Sequence, residues 1–196
     1  VEVVHPGVDL RHYDGSRLRP PSAMRAALGL PTGGVIVGTV GRLDPRKRMH
    51  ELLEATAILR GREQPVHCVV VGGRHALQPD YPEFLMRRAA ELGLTGHVTF
   101  AGFQADTAPW VQAMDVVAFP ADFESFGLAL VEAMALGKPV VATFPGGPAE
   151  IVSDARNGLL VPSGDVIAMA KAIGILLENP IMALELGAAA RIRAQT

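Results

Sequence analysis

A doubly wound, mostly parallel, six-stranded α/β sheet is the fold this sequence predicts, on three observations. Six short apolar runs recur along the chain, helical segments alternate with them, and most of the runs are apolar at consecutive positions. Consecutive apolar residues mark strands covered on both faces by helices. A strand–helix–strand order repeated at this spacing builds a parallel sheet through right-handed crossovers.

The elements follow in order. Residues 1–22, with Pro6, Gly7, Pro20 and Pro21, read as a linker entering a domain that occupies 23–196. Strands are predicted at 35–40 (VIVGTV), 66–71 (VHCVVV), 97–102 (HVTFAG), 115–120 (DVVAFP), 139–144 (PVVATF) and 158–162 (GLLVP). After the first strand, 49–61 sets Met49, Leu52, Leu53, Ala57 and Leu59 near one helical stripe. After the second, a helix over 82–93 starts on Pro82, tolerated in a first turn, and stops on Gly93. Residues 105–114, 128–137 and 165–178 supply further helical connections, the last capped by 163-SGD-165.

Composition narrows the function classes. A chain of 196 residues with 49% hydrophobic content supports one substantial core, and no apolar run approaches the roughly 18 residues of a membrane span. A net charge of −2 gives no field to hold nucleic acid, so an anion must be met by a local cluster. Cys68 is the only cysteine, which excludes an internal disulfide or a cysteine-based metal set and predicts a reducing, cytoplasmic setting. The opening VEVVHPGVDL has no basic n-region, no apolar h-region and no initiator Met, and reads as the start of a fragment.

In doubly wound sheets ligands bind beyond the carboxyl ends of the strands, so the loops there carry the function. The loop 41-GRLDPRKRM-49 sets Arg42, Arg46, Lys47 and Arg48 against Asp44, just before a helix start. Gly41 lets the chain leave the strand, and a guanidinium fork at Arg42 with an ammonium at Lys47 suits a diphosphate; a solvated charged loop is the competing reading. The paired glycines of 72-GGRH-75 form a weaker cradle. After the fourth strand, Gly127 precedes a helix, which predicts that the amides of Phe126, Gly127 and Leu128 are available to an anion. Glu124 lies on that loop and Glu132 one turn into an otherwise apolar helix, LALVEAMALG, facing the same crevice from deeper in. Carboxylates beside an anion site suit sugar hydroxyls, which donate to them; a first-turn acid and a surface acid are the alternative.

These motifs together resemble the C-terminal, nucleotide-sugar-binding domain of a retaining glycosyltransferase of the two-domain GT-B fold, in the group 1 type family. The matching residues are 41-GRLDPRK-47, the Glu124-to-Glu132 motif with its Phe-Gly, 134-MALGKPVVAT-143, 146-GGPAEIV-152 and 157-NGLLVP-162, in the family's order over nearly the whole chain. The opening 5-HPGVD-9 resembles the family's interdomain crossover, with Pro6 where an Asn usually stands, and Arg48 follows Lys47 where a Gly is common.

The resemblance implies one Rossmann-like half of a GT-B fold. It implies that Arg42, Lys47 and Glu124 are the catalytic group, the cations holding the donor diphosphate and Glu124 the donor sugar. Glu132 would accept from the ribose, Gly41 and the amides of Phe126, Gly127 and Leu128 would cradle phosphate and sugar, and Phe103 and Gln104 would lie against the base. None of the six histidines is expected to be the catalytic base.

No Asp-x-Asp pair or ligand-spaced His/Asp/Glu cluster occurs, so the expected transfer is metal-independent, without cofactor, and stabilised at the leaving diphosphate by cations and amides. The resemblance implies retention with the leaving phosphate assisting acceptor deprotonation; Glu124 as a nucleophile stays open. A non-catalytic nucleotide-sugar-binding module and a GT-B nucleotide-sugar epimerase are the alternatives, and 72-GGRHAL-77 lacks the third glycine of a dinucleotide reductase. The expected partners are a nucleotide-sugar donor and an absent N-terminal domain that carries the acceptor site and any peripheral membrane association; without it the fragment transfers little.

Overall fold

The protein is described by a computed structural model covering residues 7–62 and 64–196; His5 and Pro6 of the crossover motif lie outside the described residues. Six strands, β1 (Val35–Val40), β2 (Val66–Val71), β3 (Val98–Gly102), β4 (Val116–Phe119), β5 (Val140–Phe144) and β6 (Leu159–Pro162), form one sheet in the order β3-β2-β1-β4-β5-β6. Every pairing is parallel. Each predicted strand is present, its ends within one residue of those read from the sequence.

Helices α1 (Pro21–Ala27), α2 (Met49–Gly61), α3 (Tyr81–Glu91), α4 (Ala108–Ala113), α5 (Leu128–Ala135), α6 (Pro148–Ile151), α7 (Val166–Glu178) and α8 (Pro180–Ala194) cover both faces. Neighbouring residues of β1 feed opposite cores, as the pleat requires. Val37 joins Leu52, Leu53, Leu59 and Ile173 under α2 and α7, whereas Ile36 joins Met114, Leu130 and Met134 under α4 and α5.

Helices α1, α6 and α8 are additions to the sequence reading. Helix α1 is tied to the sheet by an ionic network centred on the buried Arg25, which donates to the Ala113 carbonyl at 2.8 Å and pairs with Asp115 at 2.6 Å. Asp115 accepts the Ile36 amide at 2.7 Å. Close by, the buried Lys138 ammonium donates to the carbonyls of Gln112 and Met114 at 2.7 and 2.8 Å, fastening the end of α4.

Sequence order runs outward from β1 in both directions, through β2 and β3 on one side and β4 to β6 on the other. The loops after β1 and β4 therefore diverge at the point where the winding reverses, and a crevice opens between them.

Candidate functional site

The loop after β1 sorts its own cations. Asp44, 2% exposed, accepts the Arg46 amide at 3.0 Å and its guanidinium at 2.9 Å, and this Arg46 pairing holds its carboxyl down at about 2. Arg48 stands in the left-handed region at φ 48° and pairs with the buried Glu51. Arg46 and Arg48 are thus occupied by neighbouring acids. Arg42, half exposed and 3.7 Å from Asp44, and Lys47 line a cavity of about 390 Å³. Of the four cations in the sequence cluster, these two are the pair predicted to meet phosphate.

Opposite them, the loop after β4 supplies Glu124, Ser125, Phe126, Gly127 and Leu128 to the same cavity. Gly127 sits at φ 97°, which only glycine adopts without strain, and turns the chain into α5 with no side chain capping the helix. Gly127 and Leu128, at the start of α5, line the cavity, and a helix start attracts negative charge. Glu124 forms an ion pair with Lys47 across the cavity. Gly41 lines it as predicted.

A second cavity of about 340 Å³ shares Val40, Gly41 and Arg42 with the first and adds Gly72, Gly73, Phe103, Gln104 and Thr107. Phe103 is an apolar ring 78% exposed, and Gln104 donates to the Ala101 carbonyl at 2.7 Å. Glu132 is placed differently from the sequence expectation. It does not line the cavity that holds Glu124. The α-helical repeat carries its carboxylate around to the Thr107 hydroxyl, 3.4 Å away, beside the second cavity, and burial pushes its carboxyl above the ordinary range. Glu124 lines the first cavity, and Glu132 lies behind Thr107, which lines the second.

The loop between β5 and α6 is a contributor that the sequence reading used only as a motif. The Gly147 amide donates to the Glu124 carbonyl at 2.7 Å, and Pro148 lines the first cavity. A Cβ at Gly147 would stand 2.6 Å from the Ser125 carbonyl oxygen and 2.7 Å from the Phe126 Cα. The backbone that presents Glu124 is therefore clamped against residues that can only be glycine. The signal available in the sequence was the Gly146-Gly147 pair just past a strand's carboxyl end. Two cations, a helix start and a carboxylate around one cavity suit an anionic group attached to a polyol.

Comparison with known proteins agrees with this geometry. Residues 22–193 match the model of the family described as Glycosyl transferases group 1. The chain is 39% identical over 200 residues to a D-inositol 3-phosphate glycosyltransferase of Salinispora arenicola, covering 97% of this chain and 45% of the relative. It is 44% identical over 179 residues to the protein of that name from Mycobacterium bovis, covering 90% and 36%. The chain thus spans less than half the length of these curated relatives. Among solved structures, Anabaena HepE in complex with UDP and glucose superposes with a TM-score of 0.91 at 32% identity, covering 99% of this chain and 52% of that one. A C-terminal domain of a glycosyl transferase group 1 family protein from Francisella tularensis superposes with a TM-score of 0.85 at 26% identity, covering 96% and 97%.

Proposed function

We propose, from the premise that this chain belongs to the group 1 glycosyl transferase family, that it is the donor-binding half of a retaining, metal-independent glycosyltransferase. It takes a nucleoside diphosphate sugar, and the sugar goes to an acceptor hydroxyl held mainly by an N-terminal domain. The observation that carries this reading is the cavity at the reversal of the sheet, where Arg42 and Lys47 face Glu124 and the start of α5. The binding of UDP and glucose by the HepE structure supports the same class of ligand here.

Arg42 and Lys47 hold the diphosphate. Charge that develops on it as the glycosidic bond breaks is stabilised by these cations and by the amides at the start of α5, groups already in place before reaction; loss of one such donor typically costs about 3–4 kcal/mol of barrier. Glu124 accepts from the sugar hydroxyls. The leaving phosphate, on the face the acceptor approaches, helps take the acceptor proton. Base and ribose lie in the second cavity, with Phe103 and Gln104 against the base and Glu132 accepting from the ribose. No metal or cofactor enters this scheme.

Calorimetric titration with UDP, GDP, ADP and their sugars, with and without EDTA, tests the reading. One nucleoside diphosphate and its sugar are expected to bind, unchanged by the chelator. Lys47→Ala or Arg42→Ala is expected to weaken the diphosphate by about 1–3 kcal/mol, the scale of a charged hydrogen bond, and the free nucleoside far less. Equal loss for nucleoside and diphosphate, or loss of binding in EDTA with the fold intact, overturns it.

A further inference from the structure

We propose that Tyr13 and Thr107 are positioning residues that hold the Glu132 carboxylate for recognition of the nucleotide ribose, an inference that rests on the ribose role proposed above for Glu132. Thr107 occupies the position before α4 where a hydroxyl ordinarily caps the helix, yet its side chain makes no capping bond. Asp106 takes that work, accepting the Ala108 amide at 3.0 Å. The Thr107 hydroxyl is thereby left for other partners and lies 3.0 Å from the Tyr13 hydroxyl and 3.4 Å from Oε2 of Glu132. A hydroxyl has one proton and two lone pairs. Thr107 can donate to the carboxylate while accepting from Tyr13, and the Tyr13 hydroxyl also interacts with the Glu132 carboxylate directly.

The consequence for the site is geometric. A glutamate has three rotatable bonds, and fixing them is an entropic cost that a ligand would otherwise bear. Holding the carboxylate through Tyr13 and Thr107 fixes it behind the cavity that Thr107 itself lines beside Phe103 and Gln104, and its remaining lone pairs are the acceptors a ribose hydroxyl would use. The entry segment is fastened at a second point: His12, next to Tyr13, bonds Asp106 at 2.8 Å, next to Thr107. The Tyr13 ring packs on the core beneath α5, so removing only its oxygen leaves that packing in place.

The test compares the nucleoside diphosphate selected by the titration above with its 2′,3′-dideoxy analogue, which lacks both ribose hydroxyls. The protein is expected to prefer the parent nucleotide. Tyr13→Phe and Thr107→Val are each expected to reduce that preference about 5-fold, the equivalent of one neutral hydrogen bond, while leaving affinity for the dideoxy ligand in place. Thr107→Ser, which keeps the hydroxyl, is expected to restore the preference. In a Glu132→Gln background, Tyr13→Phe is expected to have no further effect on the ratio. If the parent protein discriminates and both hydroxyl-deleting variants discriminate equally well, the inference falls and the ribose role of Glu132 stands. Equal weakening of both ligands assigns Tyr13 a purely structural role and overturns it too. A parent protein that does not distinguish the ligands overturns the ribose role itself.

Discussion

At the residue scale, the ion pair between Lys47 and Glu124 joins the two sides of the first cavity. A diphosphate arriving at Lys47 meets an ammonium already neutralised by a carboxylate, so binding must displace one anion with another. Glu124→Gln is therefore expected to tighten plain UDP several-fold while weakening the UDP-sugar, because a partly exposed pair of this kind stabilises by about 1 kcal/mol at most and the sugar loses its charged acceptor. Paired titrations of the variant with diphosphate and with nucleotide sugar check it; weakening of both ligands would mean that Glu124 organises the loop and does not compete for Lys47. The identities of these residues were legible in the sequence, through spacing and through resemblance. Their pairing was not. That Asp44 takes Arg46 and Glu51 takes Arg48 depends on side-chain directions around a three-residue 3-10 turn, which residue order does not encode.

At the element scale, six strands and five of the helices were readable because each carries a periodicity that its surroundings demand. Helix α8 was not, since Ile181, Leu184 and Ile192 are exposed while Leu186, Gly187 and Ala190 are buried, which leaves no single apolar stripe. Helix α6 is four residues long, too short to show a period. That short helix nevertheless organises the site, because the chain entering it clamps the Glu124 loop. Gly147→Ala is expected to lower donor affinity at least 10-fold and to cost about 1–3 kcal/mol of stability, the usual range for forcing a methyl into filled space. Its new Cβ would have to displace the Ser125 carbonyl and the Phe126 Cα, both backbone atoms that cannot rotate aside. Thermal melts and UDP titration of the same sample check the two halves, and unchanged affinity would mean that the clamp does not position Glu124.

At the scale of the whole molecule, the sheet order was implied by connectivity, but the ionic network beneath it was not. Lys138 read from the sequence as part of a family segment, and only the fold carries its ammonium to the carbonyls of Gln112 and Met114. Burial lowers its proton affinity from the ordinary 10.5 to about 8. Below pH 8 the lysine is charged in the folded and unfolded chain alike, and the cost of burying the charge is present in full. Between about pH 8 and 10.5 the unfolded chain binds a proton that the folded chain does not, so this group makes stability rise with pH. Other buried groups act oppositely in an overlapping window: burial raises Cys68, Tyr13 and Tyr81 to about 12, so the folded chain keeps protons that the unfolded chain releases. The parent protein's profile is a sum of both, and a difference measurement isolates the lysine. Lys138→Met removes the titration while leaving two carbonyls without their donor, a cost that does not vary with pH. Its stability relative to the parent is therefore expected to decline from pH 7 to pH 10.5, by on the order of 2–3 kcal/mol for a shift of this size. Urea unfolding of both proteins at intervals across that range measures it. A relative stability that stays flat would mean that the two carbonyls hold Lys138 charged throughout, and that the fold carries a permanently ionised lysine beneath α4.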